Sequence, residues 1–259
     1  MCLILLAYNV HPRYRLVLGA NRDEFYARPT APLDFWKDHP EILAGRDLEQ
    51  NGTWMGVTRN GRLAAVTNYR DPGAVIKDAI SRGYLVTDFL LGRMSPQDYL
   101  GRIAAKADRY NGFNLIIGDA RDLFYFSKQD SKIRPLGPGI YGLSNHLLDT
   151  PWPKVKAGKR QLADLIIGNK DISTDAILQL LEHQAISSDA DLPATGVGIA
   201  WERVLSPIFI SSPDYGTRSS SVLTIDPQGG IRFVERTWKA AQAIPREQFT
   251  RSFELPESG

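Results

Sequence analysis

Apolar and polar positions alternate in blocks along the chain. Residues 2–8 are apolar and β-prone, residues 9–14 hold a His-Pro turn signal, and residues 15–20 are apolar again. That pattern predicts a hairpin. A Pro-rich loop follows over residues 28–40. Residues 53–58 and 63–67 make a second hairpin, and Asn60-Gly61 between them suits a type I′ turn, with φ > 0 at both central residues. The period then changes. Tyr84, Leu85, Phe89 and Leu90 fall at helical spacing behind Ser81 as a cap, and Ser95-Pro96 opens a second helix with proline at its first position. Strands return over 113–118, 123–127 and 139–143, helices over 153–167 and 174–182, and strands again over 207–211, 219–225 and 231–237. Strands and helices come in blocks, not in strict alternation. This predicts an α+β fold with a largely antiparallel sheet, or two stacked sheets flanked by helices. No repeat, low-complexity segment or Gly/Ser linker divides the chain, so residues 1–259 are read as one domain.

Composition narrows the function classes. The apolar share of 43% suits a globular core. Net charge is +2, with 31 basic against 29 acidic residues and no basic run, so nucleic acid is not an expected partner. A single cysteine excludes an intramolecular disulfide and fits a reducing compartment. Residues 1–10 are apolar but lack a positive leader and a small-residue cleavage site, and no stretch reaches the roughly 18 apolar residues of a membrane span. The expectation is a soluble cytoplasmic protein. His11, His39, His146 and His183 share no metal-ligand spacing, so no metal is expected.

Three groups of residues can carry chemistry. Cys2 follows the initiator Met, and removal of Met1 would put a free α-amine on the residue that bears the thiol. With a reference pKa of roughly 7.7–8.0, that amine can take the thiol proton near neutral pH. From position alone, the plainer reading of Cys2 as a small residue opening a buried strand is preferred. Asn21-Arg22-Asp23-Glu24 directly follows the second strand of the first hairpin. By itself it reads as a solvated turn with internal salt bridges, although the hairpin would return Arg22 and Asp23 beside Cys2. Trp54 and Tyr69 flank the second hairpin and would shape an apolar ligand wall. His146 would either line a pocket or face solvent.

The opening Met1-Cys2 and then Asn21-Arg22-Asp23-Glu24 resemble the signature of the NRDE family, the transport-and-Golgi-organisation-protein-2-like proteins. The likeness continues through Asn51-Gly52-Thr53-Trp54, Thr67-Asn68-Tyr69-Arg70, Ser81-Arg82-Gly83-Tyr84-Leu85 and Tyr110-Asn111-Gly112-Phe113-Asn114-Leu115. It ends with Gly142-Leu143-Ser144-Asn145 and Tyr215-Gly216-Thr217-Arg218-Ser219, so the blocks cover most of the chain in order. The resemblance implies an Ntn-hydrolase-like αββα sandwich of two antiparallel sheets flanked by helices. By analogy with the choloylglycine hydrolase and penicillin V acylase group, Cys2 would attack a carbonyl and Asp23 would orient its α-amine. Asn68 and Asn145 would offer amide donors to an oxyanion, and Arg218 would stabilise the thiolate. Those acylases tend to show Gly-Arg-Asn-x-Asp where this chain has Gly19-Ala20-Asn21-Arg22-Asp23. If the strand persists, Arg22 shares a face with the missing position and serves with a shifted reach; if the strand has already ended, Arg22 points elsewhere.

Two functional readings follow. The first is a hydrolase of a linear amide (C–N) or thioester bond, needing no cofactor. The alternative is a non-catalytic protein that binds and carries haem or acyl-CoA in the same pocket, with His146, His11 or Cys2 as axial ligand to haem, or Arg22 near phosphates. In both, Asn21, Arg22, Glu24, Trp54, Tyr69 and His146 would line the site of a small molecule with an apolar part, and homo-oligomerisation is compatible with either. An interaction module in membrane trafficking ranks last, because no amphipathic anchor or lipidation motif is evident.

Overall fold

The computed structural model describes residues 2–239 and 246–256. Along the chain run β1 (Cys2–His11), β2 (Tyr14–Phe25), β3 (Thr30–Phe35), β4 (Ile42–Asp47), β5 (Met55–Thr58), β6 (Leu63–Asn68), α1 (Gly83–Leu91) and α2 (Pro96–Ala104). There follow β7 (Phe113–Gly118), β8 (Leu123–Ser127), β9 (Ile133–Pro135), β10 (Gly139–Leu143), α3 (Pro153–Ile166), α4 (Thr174–Leu181), α5 (Ile199–Leu205), β11 (Tyr215–Ile225), β12 (Ile231–Lys239) and β13 (Arg246–Leu255). The class is α+β with two antiparallel sheets. Among the described residues, no helix is long and apolar enough to cross a membrane.

The strands and helices divide between two compact units. The first holds the described residues up to Ala27, Gly137–Ser144 and those from Leu148 onward. Its six-stranded sheet has the order β10-β1-β2-β11-β12-β13. Leu3, Leu5 and Ala7 of β1, Val17 of β2, Val222 of β11 and Val234 of β12 pack against Val155, Leu162 and Ile166 of α3 and Ile177, Leu178 and Leu181 of α4. These strand positions alternate, so Cys2, Ile4 and Leu6 point to the opposite face. Gly158 lets α3 lie close on β1, since a Cβ there would stand 2.6 Å from Leu5 Cδ1.

The second unit holds Arg28–Leu136 and Asn145–Leu147. Its seven strands, β3 to β9, pair in sequence order. Leu85, Phe89 and Leu90 of α1 and Leu100 and Ile103 of α2 bury against Val66, Phe113, Leu115, Phe124 and Phe126. Each such side chain contributes about 1.5–3 kcal/mol through burial. Ser95 caps α2 as expected, its Oγ accepting from the Asp98 N–H with Pro96 in the first turn.

The structure corrects several expectations. The Pro-rich stretch contains β3, an edge strand whose register shifts between Ala31 and Asp34, around Pro32. An edge and a register irregularity are where a strand tolerates proline. The Asn60-Gly61 turn is not type I′: Gly61 has φ +80° while Asn60 does not have positive φ. Gly61 N–H donates to the Thr58 carbonyl, making a three-residue loop with glycine in the left-handed position. Ser81 does not cap α1, whose N-cap is Arg82 without a side-chain bond. Residues 207–211 form no strand, only a Ser211–Gly216 bridge. The β4, β9, β13 and α5 elements were not anticipated. Asn21 to Glu24 lie inside β2 and not after it, because β1 and β11 pair with that stretch from both sides.

Candidate functional site

Cys2 opens β1 directly opposite Arg22 of β2, and it is buried. Ser144, just past β10, donates from Oγ to the Cys2 carbonyl at 3.2 Å. The main-chain amide of Asp23 favours the thiolate. Burial pushes the thiol pKa above its ordinary range and the Asp23 carboxylate adds to that, while Arg22 opposes it.

Asp23 follows Arg22 in β2, one residue beyond the Cys2–Arg22 pair. It is 1% exposed. Thr217, its partner on β11, donates from Oγ1 to Asp23 Oδ1 at 2.7 Å, and the Tyr215 hydroxyl donates to the Asp23 carbonyl at 3.0 Å. Burial raises the Asp23 pKa, and Lys154 is the strongest charge acting the other way. Lys154 was missed by sequence reasoning. It is 4% exposed in the first turn of α3 and donates from Nζ to the Leu205 carbonyl at 2.9 Å. The available signal was its place on the buried stripe of Lys154, Gly158, Leu162 and Ile166, where a lysine is out of pattern.

Arg22 shares a face with Cys2 and with Glu24, whose carboxylate lies 3.9 Å from its guanidinium. Arg218 is the extra residue at the register shift between Thr217 and Ser219. Its NH1 donates to the Phe25 carbonyl at 2.9 Å. The Arg22 guanidinium is a charge that acts on the thiol.

Asn21, expected to bind ligand, is instead an internal brace. It is fully buried, and its Nδ2 donates to the carbonyls of Leu181 at 2.8 Å and Ile208 at 2.9 Å. Its Oδ1 accepts from the Ser220 hydroxyl at 2.7 Å. Asn21→Ala strands these partners in the interior, so it should cost about 2–4 kcal/mol of unfolding free energy. Denaturant titration checks this; a loss below a few tenths of a kcal/mol would show that water replaces the amide.

The second unit groups the asparagines with Tyr69 and His146. Asn145 donates from Nδ2 to the Asn68 carbonyl at 3.0 Å, and the Arg70 N–H donates to the Asn145 carbonyl at 2.8 Å. Asn114, buried in β7, donates to the His146 carbonyl at 2.9 Å. The Tyr69 hydroxyl lies 2.8 Å from His146 Nε2, with ring centroids 4.8 Å apart. Burial raises the Tyr69 pKa and lowers that of His146. Trp54, expected to share an apolar wall with Tyr69, packs instead on the core beneath α1 and α2. His11 does not join Cys2. The two sit at opposite ends of β1, roughly 30 Å apart at strand rise. Both His11 ring nitrogens are bonded, to the Asn169 carbonyl at 2.8 Å and the Arg13 N–H at 3.1 Å.

Two antiparallel sheets with helices make an α+β fold that resembles that of Ntn hydrolases. The chain is similar to the R18L variant of conjugated bile acid hydrolase from Clostridium perfringens, with a TM-score of 0.54 over 99% of this chain and 98% of that one. At 10% sequence identity this likeness speaks for the fold alone. The chain belongs to the Transport and Golgi organisation 2 family, whose family model matches residues 1–240. It is 36% identical to the Transport and Golgi organization protein 2 homolog of Bos taurus and 35% to that of Homo sapiens. In each case the match covers 98% of this chain and 99% of the relative.

Proposed function

We propose that this protein is an N-terminal-cysteine hydrolase that cleaves a linear amide (C–N) or thioester bond. The observation that carries this reading is the buried Asp23 carboxyl, held by Thr217 and one residue beyond the Cys2–Arg22 pair. Once residue 1 is removed, the Cys2 nitrogen becomes an α-amine and Asp23 orients it. The neutral amine takes the thiol proton, and Sγ attacks the substrate carbonyl. Collapse of the tetrahedral adduct breaks the C–N bond, and the α-ammonium returns its proton to the departing amine. Water then attacks the thioester, giving its proton to the amine, and releases the acid with the thiol restored. Arg22 supplies positive charge beside the thiolate. A reducing cytoplasm suits such a thiol.

One observation favours the carrier reading. While residue 1 remains, burial holds the Cys2 thiol protonated at neutral pH, which suits binding without turnover. Histidine-ligated haem is disfavoured, because His11 and His146 already spend ring nitrogens on internal hydrogen bonds.

Intact mass, taken before and after an alkylating probe across pH 6–9, tests the proposal. A mass lower by one methionine, with fast labelling at neutral pH, is the expected result. A retained methionine, with labelling that rises only above the ordinary thiol range, would overturn the hydrolase. Haem and acyl-CoA titrations would then test the carrier.

A further inference from the structure

The face of the first unit's sheet that carries Cys2 lies opposite the α3 and α4 layer. Cross-strand partners in an antiparallel sheet share a face. The register therefore sets a row from Cys2 through Arg22 and Ser219 to Thr237. The next row on that face runs Ile4, Ala20, Ser221 and Glu235. Beyond it the face turns wholly apolar, with Leu6, Leu18, Leu223 and Phe233. Polar side chains are thus gathered at the end of the sheet nearest the thiol, on β11 and β12.

Two of their hydroxyls are unsatisfied. Ser221 is fully buried, and its Oγ has no hydrogen-bond partner; Thr237 Oγ1 is buried in the same state. Buried hydroxyls without partners are costly, and alanine or valine would avoid the cost, so each calls for a reason. Ser220, between them on the opposite face, shows the contrast. Its hydroxyl donates to Asn21 and accepts from Trp238 Nε1. Beside the two open hydroxyls, Glu235 is 5% exposed, in register with Arg251 of β13.

We propose that Ser219, Ser221, Glu235 and Thr237 form a subsite for a hydroxylated head group of the molecule whose carbonyl meets Cys2. Hydroxyl groups pair with Ser221 and Thr237 as donor or acceptor, and donate to Glu235. Strands lie about 4.8 Å apart, so Thr237 is roughly 14 Å from Cys2 and Ser221 roughly 12 Å. The ligand is therefore extended, with its polar end about that far from the carbonyl. This subsite rests on the reading of Cys2 as the reacting end.

Calorimetric binding to the Cys2→Ala protein tests the subsite without turnover. The probes are the butylamide of 9,10-dihydroxydecanoic acid and the butylamide of decanoic acid. The diol should bind about tenfold tighter, consistent with one or two recovered hydrogen bonds. That preference should vanish in the Ser221→Ala/Thr237→Val background, whose free form melts no lower than its parent. Equal affinities, no binding of either amide up to its solubility limit, or a lower melting temperature for the double variant would each overturn the subsite. A diol preference without hydrolysis by the wild-type protein would sink the hydrolase reading and leave the subsite standing.

Discussion

Cys2→Ala is expected to lower kcat/KM toward a linear amide by at least about 10⁴-fold and to abolish any acylated species in the mass spectrum. The size follows from the role. The sulfur forms the bond to carbon, and no other side chain in the sequence carries a thiol. Removing a nucleophile that works as a unit with its base and its orienting group eliminates nearly the whole covalent route, whatever the other members still contribute. The fold should survive, because the lost atom is one small group at the start of β1 and the Ser144 bond goes to the Cys2 carbonyl, which alanine keeps. Steady-state turnover and a melting curve on one preparation separate the two effects. Amide cleavage persisting within tenfold of wild type in a folded Cys2→Ala protein would rule out this nucleophile.

Asp23→Asn is the second large effect, a fall in turnover of about 10²–10⁴-fold. Asparagine keeps the oxygen that accepts from Thr217 but loses the charge that orients an ammonium. Stability should move the other way. Burial lifts the folded carboxyl pKa above its unfolded value, so the folded state holds this proton more tightly. The stabilisation from that proton is complete below the unfolded pKa and is lost as pH rises through the folded pKa. The wild type therefore loses stability across that window, and the uncharged asparagine does not. Melting temperatures from pH 3.5 to 8 should show the variant gaining on the wild type as pH rises. A variant that is inactive and also markedly less stable at pH 7 would recast Asp23 as a structural residue.

Much of the site was legible because local pattern and motif order are properties of the chain. The Cys2 position and the Asn21-Arg22-Asp23-Glu24 run could be singled out before any pairing was known. Their division of labour could not. Asn21 and Arg22 are neighbours, yet Asn21 braces the helix side while Arg22 lies beside the thiol. That split follows from strand alternation, which applies here only because β2 continues to Phe25. A polar run of this kind reads as a turn until strands on both sides supply its hydrogen bonds.

The sequence by itself determined the family, through eight ordered blocks, and the elements whose signals are local. Strands at 113–118, 123–127 and 139–143 and the Ser95-Pro96 helix start need only alternation, a cap and a proline. The tertiary structure alone decided the partners of buried polar groups. Asn21 bonds to residues 160, 187 and 199 positions away, and Lys154 reaches a carbonyl 51 positions on. It alone also showed that Ser220 is satisfied and Ser221 is not. The reason is physical. Periodicity reports which way a side chain faces relative to its own neighbours, whereas the cost of burying a polar group depends on donors and acceptors brought there by distant segments.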